Sequence, residues 1–421
     1  EPDKQDLSGI AVDATNFPDA KFLAYVRENC DTDGNGFLSD GEIRAVKSID
    51  VYKKEIKSLA GIGFFTSLTD LNCGHNSLTE LDLSALRGLT RLDCRENLLD
   101  SLDLSALRGL TYLDCSENLL DSLNLNVVQG LTHLECNRNF LTELNVSALR
   151  GLTYLSCYEN KLTKLDVSAC PGLTFFSCYE NQLTELDASV CPGLTKLYCS
   201  DNRLTKLNVR NCTALTDLNC RYNPLSVLDV RTCTALQSLT CDSNNLRKLD
   251  VSGLPALKNL YCVNNTSLTV LNAGSCPKLY YLVCSDCGSL TELNVNGCPA
   301  LQELYCKGNS LGMLDISDCP YLIDLLKNVI GVDEGTYYYF DGKNSSMTFD
   351  KTVQLITKKI SITDTDVTLS ASVFTYTGSA IKPKVVVKSQ STVLDPSTDY
   401  TLSYKNNTNA GTATVTVTGK G

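Results

Sequence analysis

A repeat of 21 residues constrains the fold of this chain more than any other feature of its sequence. The pattern L-T-x-L-x-C-x-x-N-x-L-T-x-L-D-V-S-x-C-P-G recurs in twelve consecutive units, two of which carry one extra residue. A chain of 421 residues is too long for one ordinary core, and units this short bury their leucines only by stacking on their neighbours. We therefore expect a solenoid. Its units begin at Leu68, Leu89, Leu110, Leu131, Leu152, Leu173, Leu194, Leu215, Leu236, Leu257, Leu279 and Leu301.

The unit matches the leucine-rich-repeat pattern L-x-x-L-x-L-x-x-N/C-x-L, with Cys in the place of the third Leu. Each unit is then a short strand, a turn and a return segment. The return segment L-T-x-L-D-V-S alternates apolar and polar residues, which is the period of a strand rather than of a helix. The sequence therefore predicts a mostly β solenoid with short strands on its concave and convex faces, gentle curvature and a length of ~58 Å.

Two cysteine columns and one asparagine column recur with the same period. Free Cys is small, apolar and often buried, and the spacing lacks the paired CxxC of a zinc site, so we expect reduced thiols in the core. The Asn column is expected to satisfy buried backbone groups at the turn from unit to unit. The first Cys column comprises Cys73, Cys94, Cys115, Cys136, Cys157, Cys178, Cys199, Cys220, Cys241, Cys262, Cys284 and Cys306. The second comprises Cys170, Cys191, Cys212, Cys233, Cys276, Cys298 and Cys319, and Leu replaces it in other units.

Residues 31–42 form a complete twelve-residue EF-hand loop, D-T-D-G-N-G-F-L-S-D-G-E. Apolar spacing predicts a helix over 17–27 before the loop and a short helix after it. Sensor EF-hands come in pairs, whereas one loop stands alone here. We therefore expect one structural calcium ion that stiffens an N-terminal cap, the alternative being an acidic turn without metal. The predicted ligands are Asp31, Asp33, Asn35, the Phe37 carbonyl, Ser39 and Glu42.

Beyond residue 322 the repeat decays, and from 361 onward Thr, Val, Ser and Lys dominate. Alternating patterns predict strands at 385–388, 400–404 and 412–418, with a turn at 406–411. The expected division is an EF-hand-like helical cap with the first coil (1–67), the solenoid (68–321), a C-terminal cap or linker (322–360) and a small all-β Ig-like domain, complete or truncated (361–421).

Repeats, cap and tail together resemble secreted leucine-rich-repeat surface proteins of bacteria, of the broad internalin-like and BspA-like kind. The stretch from Tyr376 and Gly378 through Pro383 to Asp399 and Tyr400 is similar to a bacterial Ig-like stalk module. The resemblance implies an extracellular protein, secreted or on the bacterial surface, that acts as an adhesin or a protein-interaction scaffold. We expect a monomer, and the sequence leaves its attachment to the cell open.

The net charge of −11 disfavours nucleic-acid and membrane-surface roles, and no apolar run approaches the ~20 residues that span a bilayer. Catalysis is not expected either. Asp93, Asp114 and Glu135 share a column at a nominal glycosidase spacing of ~5 Å, but an open sheet lacks an enclosing pocket. The two histidines, His75 and His133, lie three units apart, and a weak metal site of His133 with Glu135 is a minor alternative.

The third, fifth, seventh and eighth positions of each unit are predicted to point outward on the concave sheet. They form an acidic zone in units two to four and an aromatic zone in units five to eight. Such a band favours recognition of a protein or a glycan, since Tyr and Phe also stack on sugar rings. The alternatives are an inert wall-attached spacer and bulky residues that merely favour strands. The predicted partner-binding residues are Tyr154, Tyr158, Phe175, Tyr179, Tyr198, Tyr222, Asp93, Asp114 and Glu135.

Overall fold

A computed structural model describes residues 9–326, 329–333, 336–340, 346–357, 367–369, 385–389, 392–393, 395, 400–405 and 414–419. It divides into two compact units, the first of residues 1–314 with 319–354 and the second of residues 315–318 with 355–421. The first unit is the predicted solenoid. It is built on a sheet of sixteen strands, here called the long sheet.

The long sheet takes one parallel strand of three residues from each repeat. Neighbouring strands pair without offset, so that Leu71 stands opposite Leu92 and Leu92 opposite Leu113. This register follows from the constant repeat length, because each unit must align its buried leucines with those of its neighbours. The parallel strands are Ser48–Asp50, Asp70–Asn72, Arg91–Asp93, Tyr112–Asp114, His133–Glu135, Tyr154–Ser156, Phe175–Ser177, Lys196–Tyr198, Asp217–Asn219, Ser238–Thr240, Asn259–Tyr261, Tyr281–Val283 and Glu303–Tyr305.

Three longer strands extend the long sheet beyond the last repeat. Ser346–Asp350 pairs in parallel with Glu303–Tyr305. Thr336–Phe340 pairs antiparallel with Ser346–Asp350, and Val329–Asp333 pairs antiparallel with Thr336–Phe340. A short helix, Pro320–Leu325, lies between the last repeat and these strands in sequence.

Strands also form on the opposite, return face, which confirms the expectation of strands on both faces. Two parallel groups are present, one of two strands and one of three. Within residues 68–172, all of which the structure describes, the return segments form no strand. The return strands are Glu185–Asp187, Lys206–Asn208, Lys248–Asp250, Val270–Asn272 and Glu292–Asn294, with Met313–Asp315 after the last repeat's turn.

The turn after each long-sheet strand is closed by the Asn column. The Asn97 side-chain amide donates to the carbonyls of Cys73 and Cys94, both at 3.0 Å, and its oxygen accepts from the Leu78 N–H. Because these groups are buried and otherwise unpaired, the same arrangement recurs at almost every unit, as predicted. The residue before the Asn adopts the left-handed backbone conformation, including in the units where it is not glycine. Glu96, for example, has a φ of +50°.

The core consists of the Leu, Val and Cys columns, and all 21 cysteines are buried. Several thiols point along the solenoid axis toward a neighbouring unit. Cys115 Sγ donates to the Glu135 carbonyl at 3.5 Å, and Cys191 Sγ donates to the Cys170 carbonyl at 3.4 Å. The predicted burial of the cysteines is confirmed, whereas their reduced state stays a prediction.

The N-terminal cap contains the helices Ala20–Asn29 and Asp40–Ala45 and the 3-10 turn Ile62–Phe64. The first helix begins three residues later than predicted, because Asp19 is its N-cap and accepts from the N–H of Phe22 at 3.0 Å. The second carboxylate oxygen of Asp19 accepts from the N–H of Lys57 at 2.8 Å, which ties the helix to the first coil.

The second unit contributes the strands Val367–Leu369, Val385–Ser389, Thr392–Val393, Tyr400–Lys405 and Thr414–Gly419, and the strand Gln354–Ile356 crosses the boundary of the units. Antiparallel pairing joins Tyr400–Lys405 to Thr414–Gly419, at the positions predicted for strands. Val385, Val387 and Tyr400 form its described core. The predicted turn at 406–411 lies outside the described residues, and an Ig-like fold stays a prediction.

Candidate functional site

A column of stacked rings runs across four consecutive strands of the long sheet. We call it the ring column, and its members are Tyr112, His133, Tyr154 and Phe175. Successive centroids are 4.4, 4.1 and 4.4 Å apart, with interplanar angles of 14°, 11° and 5°. Each ring occupies the third position of its unit, and the in-register pairing of the strands places the rings directly above one another. The repeat period therefore builds one continuous stack from residues 21 apart in sequence.

Both ends of the ring column are covered. The Arg91 guanidinium carbon lies 3.5 Å from the centroid of Tyr112, in a cation–π contact. At the other end Tyr198 meets Phe175 edge to face, with centroids 5.8 Å apart. The faces of these half-buried rings thus contact neighbouring groups within the stack, and only the ring edges face solvent.

A second, shorter stack lies at the seventh position of units five and six. The rings of Tyr158 and Tyr179 are 4.3 Å apart and 10° from parallel, and the Arg138 guanidinium lies 5.8 Å from the Tyr158 centroid. Burial, with Tyr158 beside it, raises the pKa of Tyr179. Tyr222 stands apart from both stacks and is 52% exposed, with Arg221 over its ring at 5.2 Å.

The aromatic surface thus starts earlier than the sequence suggested. The prediction placed it in units five to eight, whereas Tyr112 and His133 belong to units three and four and lie within the supposed acidic zone. The signal was present in the sequence, since both residues stand in the third column with Tyr154 and Phe175. A column of rings on adjacent paired strands stacks, so the shared third position joins these four residues into one surface.

Asp93 and Asp114 are not the open acidic surface that was predicted. They are only 3% and 1% exposed. Arg95, at the seventh position of unit two, reaches across both carboxylates, with Nη1 3.7 Å from Asp93 and 3.3 Å from Asp114. Ser116 donates to Asp114 through both its N–H, at 3.0 Å, and its hydroxyl. A partner cannot reach these carboxylates without displacing Arg95 and Ser116.

Desolvation by burial raises the pKa of both carboxyls. The Asp114 charge adds to this effect at Asp93, and Arg95 opposes it. At Asp114, hydrogen bonds from Ser116 oppose burial, and the Glu135 charge reinforces it. The third predicted acid, Glu135, is half-buried, and its Oε1 lies 2.9 Å from His133 Nε2, so that this carboxylate orients a ring of the stack.

The loop of residues 31–42 brings carboxylate oxygens of Asp31, Asp33 and Glu42 within 4.8 Å of one another. Burial opposes ionisation of Glu42, but hydrogen bonds from Ser39 and Thr32 prevail and lower its pKa to about 2. The donor set is hard oxygen throughout, as calcium requires. The strand Phe37–Leu38, within the loop, pairs antiparallel with Ile10–Ala11.

Comparison with solved structures identifies the fold. The functional domain of InlJ from Listeria monocytogenes, which includes a cysteine ladder, is 28% identical over 82% of this chain and 98% of its own, with a TM-score of 0.60. The chain has the leucine-rich-repeat fold. A second similar structure is an internalin, inlF, from Listeria monocytogenes strain 4b F2365, at 22% identity, 75% and 95% coverage and a TM-score of 0.51. The architecture is internalin-like.

No protein-family model matches this leucine-rich-repeat chain, and no curated protein matches it. Within the described residues, no helix has the length and apolar character needed to cross a membrane.

Proposed function

We propose that this chain is an extracellular binding protein, an adhesin or protein-interaction scaffold, whose long-sheet face binds a protein partner across the ring column. The observation that carries the proposal is the stack of Tyr112, His133, Tyr154 and Phe175, held at 4.1–4.4 Å and covered at both ends. Rings fixed in this way lose little further entropy on binding, and Tyr supplies much contact area. Tyr158, Tyr179 and Tyr198 widen the same surface.

A protein partner is favoured over a glycan by the orientation of the rings. A sugar ring packs on an exposed aromatic face, whereas each inner ring of the column has another ring on both faces. What remains accessible is a ridge of ring edges and tyrosine hydroxyls. Such a ridge fits apolar side chains and hydrogen-bonding groups of a complementary protein surface, and it offers no platform for a pyranose.

The charges around the ridge are expected to act on the rate of association. Arg138 forms ion pairs with Glu117 at 2.8 Å and with Glu159 at 3.1 Å. These groups are partly exposed, so their Coulomb energy is screened and contributes little to affinity. Their removal should change the on-rate and its salt dependence more than the off-rate.

The test compares the unmodified chain with the triple variant Tyr154→Ala, Phe175→Ala, Tyr179→Ala on an array of extracellular proteins and a glycan array. The matched control replaces Lys206 and Lys248, exposed on the return face, with Gln. We expect the array to show protein ligands. The triple variant should bind them more weakly, by ~1–2 kcal/mol or more of binding free energy per ring, and the control should bind them with unchanged affinity. Ligands bound equally by a folded triple variant would contradict the proposal. Glycan ligands alone, or none, would favour the glycan-binding or spacer alternative.

We further propose that one calcium ion binds the N-terminal cap at Asp31, Asp33, Asn35, Ser39, Glu42 and the Phe37 carbonyl. The support is the clustered carboxylates and the lone loop, whose strand is paired within the cap. The ion would stiffen the loop that connects the first helix, Ala20–Asn29, to the second helix, Asp40–Ala45.

A further inference from the structure

One flank of the solenoid carries a ladder of threonines at the second position of the first eight units. The Thr69 hydroxyl donates to the Lys47 carbonyl, and from Thr90 onward each hydroxyl donates to the backbone carbonyl of the threonine one unit earlier. Thr90 donates to Thr69 at 3.0 Å, and Thr216, at the end of the ladder, donates to Thr195 at 2.9 Å. These hydrogen bonds hold the short side chains against the backbone, so this part of the flank is a nearly flat surface.

The last four units break the threonine ladder. Gln237, Lys258, Tyr280 and Gln302 take its place, while the backbone pattern continues unchanged. The N–H of Tyr280 donates to the Lys258 carbonyl at 2.9 Å, and the N–H of Gln302 donates to the Tyr280 carbonyl at 3.0 Å. The fold therefore does not require the longer side chains, which rise above the flank at this end.

These side chains help to form an open groove of about 560 Å³. Its lining includes Lys258, Lys278, Tyr280, Pro299, Gln302 and Tyr321. Among the described residues, no carboxylate lines the groove, in a chain with a net charge of −11. The groove is thus a positively charged, partly aromatic site on an acidic protein.

The side chains present complementary chemistry for a sugar chain. Tyr321, on the helix Pro320–Leu325, is 48% exposed, unlike the half-buried rings of the ring column. The Lys258 ammonium donates to the Gln237 side-chain oxygen at 3.1 Å, which leaves two of its three donors for a ligand. The Gln302 amide offers both a donor and an acceptor, as hydroxyl groups require.

We infer that this groove binds an acidic glycan, with sugar rings packed on Tyr321 and Pro299 and carboxylates held by Lys258 and Lys278. An acidic peptide is the competing occupant, but strand addition is not available to it. The flank's backbone N–H groups, such as those of Tyr280 and Gln302, already donate within the solenoid. The site is separate from the ring column, so the inference stands or falls independently of the proposed function.

The experiment titrates the full chain with an α-1,4-linked hexagalacturonate and measures binding by calorimetry. Maltohexaose serves as the neutral sugar, and a hexaglutamate peptide as the acidic peptide. We expect saturable binding of hexagalacturonate alone. The variants Lys258→Gln with Lys278→Gln, and separately Tyr321→Ala, should each weaken it at least tenfold. The control pair Lys206→Gln with Lys248→Gln removes the same charge elsewhere and should leave the affinity within twofold.

Three outcomes would overturn the inference. The first is no saturable binding of hexagalacturonate at millimolar concentration. The second is equal weakening by the groove and control pairs, which would show a non-specific charge effect. The third is tighter binding of hexaglutamate, lost on replacement of Lys258 and Lys278, which would assign the groove to an acidic peptide. Thermal unfolding of each variant establishes that it is folded before its titration is interpreted.

Discussion

The rings of Tyr154 and Phe175 lie nearly parallel, with their centroids 4.4 Å apart and an angle of 5° between their planes. Their Cα atoms pair directly in adjacent strands, so the stack is a consequence of register. His133 covers the other face of Tyr154 at 4.1 Å. Binding and stability are therefore coupled at Tyr154, since the ring that would contact a partner is also held by two neighbours.

We predict that Tyr154 and Phe175 are energetically coupled. A double-mutant cycle with Tyr154→Ala and Phe175→Ala, measured by denaturant unfolding, should give a coupling free energy of ~0.5–1.5 kcal/mol. The control cycle pairs Tyr154→Ala with Tyr222→Ala, and it should be additive because Tyr222 lies outside the stack. Equal coupling in both cycles would show that the ring contact contributes nothing specific.

The buried Asp93 should make stability depend on pH in a definite direction. Because burial and the Asp114 charge raise the pKa of Asp93 in the folded state above the ordinary value of an aspartate, ionisation of Asp93 favours unfolding. The stability that the protonated form provides is complete below the unfolded pKa and is lost as the pH rises through the folded pKa. Asp93→Asn should therefore gain melting temperature relative to the unmodified chain between pH 4 and pH 7.

Asp103 provides the opposite case. Hydrogen bonds from the N–H and hydroxyl of Ser105 lower the pKa of this exposed carboxyl. The ionised carboxylate therefore stabilises the folded state above the unfolded pKa, and this stability is lost as the pH falls through the folded pKa. Asp103→Asn should therefore lose melting temperature relative to the unmodified chain as the pH rises from 2 to 5, with little further change above pH 5. Parallel pH trends for the two variants would refute the assignment.

The Asn column should contribute strongly to stability. Asn118→Ala removes the donor to the Cys94 carbonyl at 3.0 Å and the acceptor of the Leu99 N–H at 3.0 Å, leaving buried groups unpaired. At ~1–3 kcal/mol for each unsatisfied group, the variant should lose more than ~2 kcal/mol in denaturant unfolding. Asn245→Ala, at an exposed position one residue past the column, should lose less than ~0.5 kcal/mol.

The thiols should be reduced and almost unreactive in the folded protein. Burial raises the pKa of Cys157 to about 12, which suppresses the reactive thiolate at neutral pH. Titration with an aromatic disulfide reagent should be slow in native buffer and should reach 21 thiols per chain in guanidinium. If most of the first cysteine column were found oxidised in the native protein, the prediction would be wrong.

Calcium should stabilise the N-terminal cap. A ligand present at a hundredfold excess over its Kd stabilises by about 2.7 kcal/mol, so millimolar calcium should raise the unfolding temperature of the cap. Glu42→Gln should abolish most of that rise and have little effect in chelator. Glu28→Gln, an exposed change on the first helix, is the control and should keep the full response. Equal melting of the unmodified chain with and without calcium would argue against a structural ion.

Periodicity alone predicted the solenoid and its buried columns. Every unit faces the same physical requirement, so Leu, Cys and Asn recur at the positions that must be filled or hydrogen-bonded. The loop of residues 31–42 can be recognised in the sequence because its predicted ligand positions are local, and the structure brings three of its carboxylates together, while calcium binding stays a prediction. Structural features that are local to one unit, or that repeat in every unit, can be predicted from the sequence.

The tertiary structure decided what the outward side chains do. Asp93 and Asp114 occupy outward positions, yet Arg95 covers them, because a long side chain at one position reaches across to the next strand. Tyr112 and His133 join Tyr154 because rings on adjacent strands gain more by stacking than by pointing into solvent. Whether an outward side chain is covered or exposed depends on which side chain lies next to it on the neighbouring strand. The repeat period determines the neighbours, and the packing between them determines which groups remain free to bind.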